Sequence, residues 1–386
     1  MSGAEAALPG NARALLARAA VALPGGPAWL GLAPGRINII GEHTDYIGGL
    51  SLPTGVDRFA LVRLRPRADR QVHIRALDLA EGFSFGVDAV PDPPPGWRRT
   101  MAGAVAVAHT AFGLPGGLDA VVTGDVPRGG GMSSSAALCV AWIAALSAWS
   151  GRTLGDAEAA RLAQRVEHEW SGVPCGLLDQ LASQASRSGR LLRVDFRTDA
   201  VTPVVAALPD HAWLVLDTGV RRELAASAYA QRVQEVRDGL ARTGQAHWRE
   251  LSLDDLVHGD ILDARLRHGI TENARVDAVV RALGTGDVAR VGRLLAESHR
   301  SLRDDYAVSC LELDAFVDAA SAAPGCLGAR MMGGGFGGCA LALVEAAAAD
   351  AVAAAALAAY RSRFDHPAAA AVVRGVDGAR GWRSDA

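Results

Sequence analysis

Hydrophobic and polar positions along the chain alternate between strand-like and helix-like patterns. Short apolar runs bounded by glycine and proline follow an N-terminal helix, and residues 71–76 alternate with the two-residue period of a strand. The pattern predicts strands at residues 29–32, 37–40, 59–64, 71–76, 120–127, 191–196, 212–217 and 339–344. The segment after the N-terminal helix is therefore predicted to be rich in strands.

Longer stretches of helical character separate these strands. We predict helices at residues 97–111, 136–149, 154–170 and 345–359, and mainly helical structure between about residues 220 and 328. Gly172 and Pro174 end the third helix, because both residue types interrupt helices. Strands and helices mix without strict alternation, which favours an α+β fold over a doubly wound parallel sheet. The 386 residues suffice for two domains, which we place at residues 1–200 and 201–386.

Composition argues against several classes of function. The formal net charge of −3 indicates no basic surface for a nucleic acid or a membrane. No run of about 18 apolar residues lacks a charge, so we expect no membrane-spanning segment. The 5 cysteines are scattered and form no C-x-x-C pair, which argues against a disulfide framework or a zinc site and fits a cytoplasmic protein.

A glycine-rich loop is the first candidate for chemistry. Residues 129–136 read Gly-Gly-Gly-Met-Ser-Ser-Ser-Ala between a predicted strand and an apolar helix. Glycines let backbone N–H groups approach an anion, and the helix N-terminus adds its positive dipole end. The chain has no lysine, so backbone, hydroxyls and arginine would hold phosphates here, unlike in a P-loop. A glycine-rich turn without a ligand is the alternative for this loop taken alone.

A second island, residues 34–53, concentrates side chains that ionise or form hydrogen bonds. They are Arg36, Glu42, His43, Thr44, Asp45 and Tyr46. Sugar hydroxyls both donate and accept, so such a mixed set suits a polyhydroxylated ligand. A solvated turn between strands is the alternative. Residues 332–338 form a third, glycine-rich island, either a close backbone approach to the active site or a plain turn between strands.

These three islands resemble the signature motifs of the GHMP kinase superfamily. Residues 35–46 closely resemble the signature of its galactokinase family, as do residues 172–180 and 220–229, and the resemblance runs from about residue 30 to about residue 345. It implies two α+β domains with the active site in the cleft between them. It also implies Mg²⁺- and ATP-dependent phosphorylation of the C1 hydroxyl of α-D-galactose to galactose 1-phosphate, in galactose catabolism.

The resemblance also implies roles for single residues. Asp179 corresponds to the catalytic aspartate that accepts the proton of the sugar hydroxyl, and Arg36 to the arginine that stabilises the transferring phosphoryl group. The positions that match sugar contacts are Glu42, His43, Thr44, Asp45, Gly176 and Tyr229. The nucleotide positions are Gly129, Gly130, Gly131, Met132, Ser133, Ser134 and Ser135, with Trp97 near the adenine. Ser135 and Glu167 match the positions that hold Mg²⁺.

Local sequence leaves alternatives for these residues and for the function. Asp179 could cap a helix, Glu167 could lie on a solvated helix face, and His43 could be a hydrogen-bonded turn histidine. A catalytically silent ligand-binding regulator is a second class of function, against which the retained motif residues argue. L-arabinose, N-acetylgalactosamine and homoserine are alternative substrates, although the 42–45 cluster argues against homoserine. The oligomeric state stays open, with a monomer favoured.

Overall fold

The strands form sheets of six, four and three strands in this computed structural model, which describes residues 5, 8–173, 175–206, 208–221, 225–257 and 259–385. The strands are β1 (Ala28–Asn38), β2 (Leu50–Ser51), β3 (Pro53–Arg67), β4 (Gln71–Ala76), β5 (Glu81–Gly86), β6 (Gly117–Gly124), β7 (Arg190–Asp195), β8 (Ala200–Val205), β9 (His211–Asp217), β10 (Cys326–Met332), β11 (Cys339–Glu345), β12 (Ala369–Val373) and β13 (Arg380–Ser384). The α-helices are α1 (Gly10–Ala22), α2 (Trp97–Phe112), α3 (Ser134–Trp149), α4 (Asp156–Arg165), α5 (Leu178–Ala185), α6 (Ala225–Thr243), α7 (Ile261–Thr285), α8 (Val288–Asp304), α9 (Leu311–Ala322) and α10 (Ala349–Arg361). The predicted α+β class is confirmed.

Two long antiparallel strands, β1 and β3, lie inside the six-stranded sheet, whose order is β13-β1-β3-β6-β4-β5. Their register shifts between Pro34 and Gly35. Proline has no N–H for the ladder, and a bulge accommodates it without ending the strand. The sequence predicted two strands, at 29–32 and 37–40, and this prediction was wrong because the bulge keeps them in one strand.

The helix α3 is apolar on all sides and packs against β1, β3 and β13. At Gly31 a Cβ would overlap the carbonyl of Ala141 in this helix, so glycine permits the close approach of helix and sheet. The helix begins at Ser134, slightly before its predicted start. Because its body is buried, its N-terminus is fixed, and so is the end of the glycine-rich loop before it.

The predicted helix at 154–170 is divided in the structure. The α-helix α4 ends at Arg165, and a π-helix, Val166–Ser171, continues the chain. Gly172 then adopts a left-handed conformation with φ of 69°, which ends the helix as predicted. Pro174, the other predicted end signal, lies outside the described residues. π-helical turns occur mainly at functional sites, and this one carries Glu167.

The second half of the chain is mainly helical up to β10, as predicted, and contributes the four-stranded sheet β10-β11-β9-β12. The last strand, β13, returns to pair with β1. The domain division at residues 200 and 201 stays a proposal, since β8 crosses that point. Within the described ranges, no helix combines the length and apolar character needed to cross a membrane.

Candidate active site

Segments that are distant in sequence line one cleft of about 320 Å³. They are the end of β1 with the loop after it, the start of α5 with the loop before it, part of α6, and the glycine run after β10. The predicted site residues that line it are Arg36, Glu42, His43, Asp45, Gly176, Asp179 and Tyr229. The cleft therefore unites both predicted catalytic residues with the predicted sugar-binding residues other than Thr44.

Arg36 and Asp179 form an ion pair at the base of this cleft. The guanidinium Nε and Nη2 lie 2.8 and 2.7 Å from Asp179 Oδ1, and Nη1 donates to the carbonyl of Gly131. Burial lowers the pKa of Arg36, but Asp179 and Glu42 more than offset this effect, so the pKa is raised. Arg36 therefore joins the carboxylate to the glycine-rich loop as a permanent cation.

Asp179 lies in the first turn of α5, where a helix dipole favours a carboxylate. The N-cap position belongs to Leu177, so Asp179 does not cap this helix. Its second oxygen, Oδ2, accepts a hydrogen bond of 2.5 Å from the Ser133 hydroxyl. The carboxylate thus contacts both the cleft arginine and the glycine-rich loop.

The 41–50 loop is closed by Thr44, whose side chain is fully buried. Its hydroxyl lies 3.0 Å from the Gly41 carbonyl and 2.8 Å from the Leu50 carbonyl. Thr44 therefore holds the two ends of the loop together and does not line the cleft. The structure thus gives the Thr44 side chain a role in loop shape, and its predicted sugar contact stays a prediction.

His43 lines the cleft, and both of its ring nitrogens are hydrogen-bonded. Nδ1 lies 2.9 Å from the Tyr46 hydroxyl, and Nε2 lies 3.2 Å from the Gly334 carbonyl. A carbonyl only accepts, so Nε2 carries the proton and Nδ1 accepts from Tyr46. Burial lowers the pKa of His43 to about 3, which leaves the ring neutral near pH 7. Its ring packs 5.4 Å from that of Tyr229.

Asp45 faces Gly176 in the cleft. A Cβ at position 176 would overlap the Asp45 carboxylate, so a larger residue there would displace the Asp45 side chain. Burial, followed by the charges of Asp179 and Glu42, raises the pKa of Asp45 to about 7. This carboxyl therefore changes charge near neutral pH.

The glycine-rich loop turns sharply before α3. Gly129 and Gly131 have φ of 64° and 69°, and Ser133 has φ of 54°. Every second residue of the loop is therefore in the left-handed region, which glycine adopts most easily. The second half of the chain packs on this loop. Cys339 Sγ lies 2.5 Å from the Gly130 carbonyl.

A second cavity, of about 330 Å³, lies beside the loop. Trp97, Ser134 and Ser135 line it together with apolar residues from β3, β6 and α3. The Trp97 indole donates a hydrogen bond of 2.9 Å to Glu81 and packs edge-on against Phe83. A largely apolar cavity next to a turn of backbone N–H groups can accept a flat base whose phosphates lie on the loop.

Glu167 is buried on the π-helix, with 4% of its surface exposed, so it does not lie on a solvated helix face. Burial raises the pKa of its carboxyl, although a hydrogen bond with Ser135 lowers it. Gln180 Nε2 also donates to it, and no arginine pairs with it among the described residues. A buried carboxylate that faces a hydroxyl without a basic partner has the ligand chemistry that Mg²⁺ prefers.

The position of Glu167 depends on the contact between the π-helix and α2. Trp170 packs on Gly103, where a Cβ would overlap the indole. Thr100 and Ser171 link the same two elements through their hydroxyls, 2.9 Å apart. The helix α2, which carries Trp97, thus also holds in place the π-helix with Glu167, the carboxylate predicted to bind Mg²⁺.

Several polar residues around the cleft had no role in the sequence prediction. Arg221, within the segment 220–229, lies against Gly129 and pairs with Asp217 at 2.6 Å. Arg330 is fully buried behind the cleft. A single arginine within the apolar strand β10 is a signal that could have revealed it, since buried charges are rare.

Family models match three parts of the chain. The galactokinase galactose-binding signature matches residues 24–66. The N-terminal domain of GHMP kinases matches residues 99–186, and their C-terminal domain matches residues 279–362. These ranges contain Arg36, Asp179 and the glycine run at 333–338.

Curated relatives and solved structures agree with these matches. The chain is 42% identical over 351 residues to a galactokinase of Chloroflexus aggregans, covering 87% of this chain and 89% of the relative. It is 38% identical to the Homo sapiens galactokinase over 82% of this chain and 84% of that one. The Lactococcus lactis galactokinase complexed with galactose superposes with a TM-score of 0.86 at 31% identity, covering 91% and 94% of the two chains. A mevalonate kinase, with a TM-score of 0.66 at 18% identity over 90% of this chain and 99% of that one, shares the fold. The chain therefore belongs to the galactokinase family of the GHMP kinases, and the predicted resemblance is confirmed.

Proposed function

We propose that the protein transfers the γ-phosphoryl group of ATP to the C1 hydroxyl of α-D-galactose, giving galactose 1-phosphate and ADP. The observation that carries this proposal is the position of Asp179, which contacts Arg36 through one oxygen and Ser133 of the glycine-rich loop through the other. A hydroxyl bound in the cleft would therefore meet a proton acceptor next to the nucleotide phosphates.

The proposed mechanism relies on positioning and charge. Asp179 accepts the proton of the sugar hydroxyl while the hydroxyl oxygen attacks the γ-phosphorus. The bond between the γ-phosphorus and the oxygen that bridges it to the β-phosphate breaks, and ADP leaves. Arg36 stabilises negative charge on the transferring group, because its fork is fixed by Asp179 and the Gly131 carbonyl. The 41–50 loop, Gly176 and Tyr229 surround the sugar.

ATP would place its phosphates on residues 129–135 and its base in the cavity beside Trp97. Ser135 and Glu167 fit Mg²⁺ by their chemistry and would hold it. When bound, Mg²⁺ neutralises charge on the phosphates of ATP. The intact pairs Arg36–Asp179 and Ser135–Glu167 disfavour a catalytically silent regulator.

We also propose a cytoplasmic enzyme whose partners are the small molecules galactose and ATP, with a monomer as the state to test. The 5 cysteines are free, which suits a reducing compartment. The low net charge of −3 favours neither nucleic acid nor a charged membrane surface.

A substrate panel tests the proposed function. ADP release is measured with ATP and Mg²⁺ against galactose, glucose, the 4-deoxy sugar, L-arabinose, N-acetylgalactosamine, homoserine and mevalonate. We expect galactose to give the highest kcat/KM, with glucose and the 4-deoxy sugar at least about 100-fold lower, because a site built to bond a hydroxyl rejects its loss or inversion. Equal turnover of glucose would refute the galactose assignment and retain the kinase, whereas turnover of homoserine alone would refute a sugar substrate.

The raised pKa of Asp45 predicts a pH-dependent affinity for galactose. Below about pH 7 the carboxyl is protonated and loses its charge-assisted acceptor role, so the galactose KM rises by up to about tenfold for each pH unit below this pKa. The folded protein holds this proton more tightly than the unfolded chain, so the stabilisation present at low pH is lost as the pH rises through about 7. KM for galactose and Tm without ligands are measured from about pH 5.5 to about pH 8.

The variant Asp45→Asn is the control for this pH dependence. It keeps the shape of the side chain without a titrating group, so both profiles should flatten while the galactose KM stays high throughout. A galactose KM of the parent protein that does not change over this pH range would contradict a titrating sugar acceptor at position 45.

A further inference from the structure

Arg330 places a buried positive charge behind the 41–50 loop. The residue lies on β10 and is fully buried. Its Nη1 donates to the carbonyls of Asn38 and Ile39, at 2.9 and 3.1 Å, where β1 ends and the chain enters the loop. A buried cation is costly unless it is paired, so its position needs a carboxylate partner.

Glu42 is that partner. Its Oε1 lies 3.4 Å from Arg330 Nη2 and accepts a hydrogen bond of 2.8 Å from the Gly333 N–H. Among the described residues, no hydrogen bond is made by the other oxygen, Oε2. Since Glu42 lines the cleft, this oxygen is the one left for a ligand.

The other buried carboxylate nearby, Glu272, has its own partners. Arg275 lies 2.7 Å from Glu272 Oε2, and Oε1 accepts from Ser298 and from the Gly41 N–H. Burial raises the pKa of Glu272, but Arg275 and the other cations around it lower it to about 2. Glu272 is thus neutralised by Arg275, and the free arm of Arg330 is directed at Glu42.

We propose that Arg330 is a positioning residue that fixes Glu42 for sugar binding. The end of β10 and the residue after it hold Oε1 in place, through the Arg330 guanidinium and the Gly333 N–H. Oε2 is then free to accept a hydrogen bond from a sugar hydroxyl. The inference rests on the proposed function, since it assigns the ligand of Oε2 as the sugar. An arginine suits this position because Nη1 donates to two carbonyls while Nη2, which makes no hydrogen bond to a described residue, holds positive charge 3.4 Å from the Glu42 carboxylate. A lysine has a single ammonium group and lacks this fork.

The variant Arg330→Lys tests this role. It keeps the charge and loses the fork, so we expect the galactose Kd to rise by roughly ten- to hundredfold, while the Kd of a non-hydrolysable ATP analogue changes by less than about twofold. Both constants are measured by titration calorimetry, with Tm recorded in parallel. Arg63→Lys is the matched control, because Arg63 is also a buried arginine that donates to a backbone carbonyl, that of Leu23. The control should lower Tm and leave the galactose Kd unchanged.

A double-mutant cycle separates positioning from a purely structural role. In a Glu42→Ala background, Arg330→Lys should have no further effect on the galactose Kd, since the group that it positions is gone. Losses that add in full, or an unchanged galactose Kd in Arg330→Lys with a lower Tm, would overturn the proposal.

If Arg330→Lys does not fold, a comparison of two other variants still tests the proposal. Glu42→Ala with Arg330→Met removes both charges, and its galactose Kd should equal that of Glu42→Ala alone; a further loss would overturn the inference. A parent protein that binds no galactose would instead refute the proposed function.

Discussion

Replacing Asp179 with asparagine is expected to lower kcat for galactose phosphorylation by about 10²–10⁴-fold with the fold intact. The amide has the same shape as the carboxylate, but it cannot accept the proton of the sugar hydroxyl. The amide oxygen can still accept from Arg36 or Ser133, so Tm should change little. Steady-state kinetics and Tm measure the two effects, and calorimetry with galactose shows whether binding survives.

The matched control for Asp179→Asn is Asp277→Asn. Asp277 pairs with Arg193 at 2.9 Å outside the cleft, with 41% of its side chain exposed. Surface ion pairs contribute little, so its kcat should stay within about twofold of the parent protein. If Asp179→Asn turned over galactose at the parental rate, Asp179 would have no part in proton transfer.

Strands with a strong local pattern were predicted from sequence, whereas strands that depend on a neighbour were not. Residues 71–76 alternate, and β4 has the predicted bounds because its signal is local. The strand β13 reads Arg-Gly-Trp-Arg-Ser, without apolar alternation. It forms because the edge of β1 offers unpaired N–H and C=O groups, and only the tertiary structure brings it there.

The residues alone indicated a phosphate loop at 129–136 and a polar ligand site at 34–53, but the roles of single residues and their pairing across the cleft could be predicted only through the family resemblance. Arg36 and Asp179 are 143 residues apart, and no local pattern reports such a contact. Local sequence alone allowed Asp179 as a helix cap and Glu167 as a solvated residue, and the structure removes both alternatives. Thr44 shows a limit of the resemblance itself. It matches a sugar-binding position of the motif, but its hydroxyl contacts the carbonyls of Gly41 and Leu50 and so shapes the loop.

The variant Arg36→Ala is expected to lower kcat by about 10³–10⁵-fold, the range of an arginine that stabilises a phosphoryl-transfer transition state. It should raise the galactose KM far less, since its charge serves the transferring group. Arg36 also donates to the Gly131 carbonyl, so its loss should loosen the glycine-rich loop and weaken ATP binding moderately. Kinetics with galactose and ATP varied separately measure these effects.

Arg36→Lys separates charge from geometry. Lysine keeps the positive charge beside Asp179 but cannot bond Oδ1 and the Gly131 carbonyl at once, so it should recover only part of the lost kcat. The control is Arg193→Ala, which removes the arginine of the partly exposed Arg193–Asp277 pair outside the cleft and should leave kcat within about twofold. Full recovery by lysine would mean that charge alone suffices, and a change confined to the galactose KM would make Arg36 a sugar-binding residue. If the fixed guanidinium fork matters, Arg36→Ala loses most of kcat and Arg36→Lys recovers only part of it.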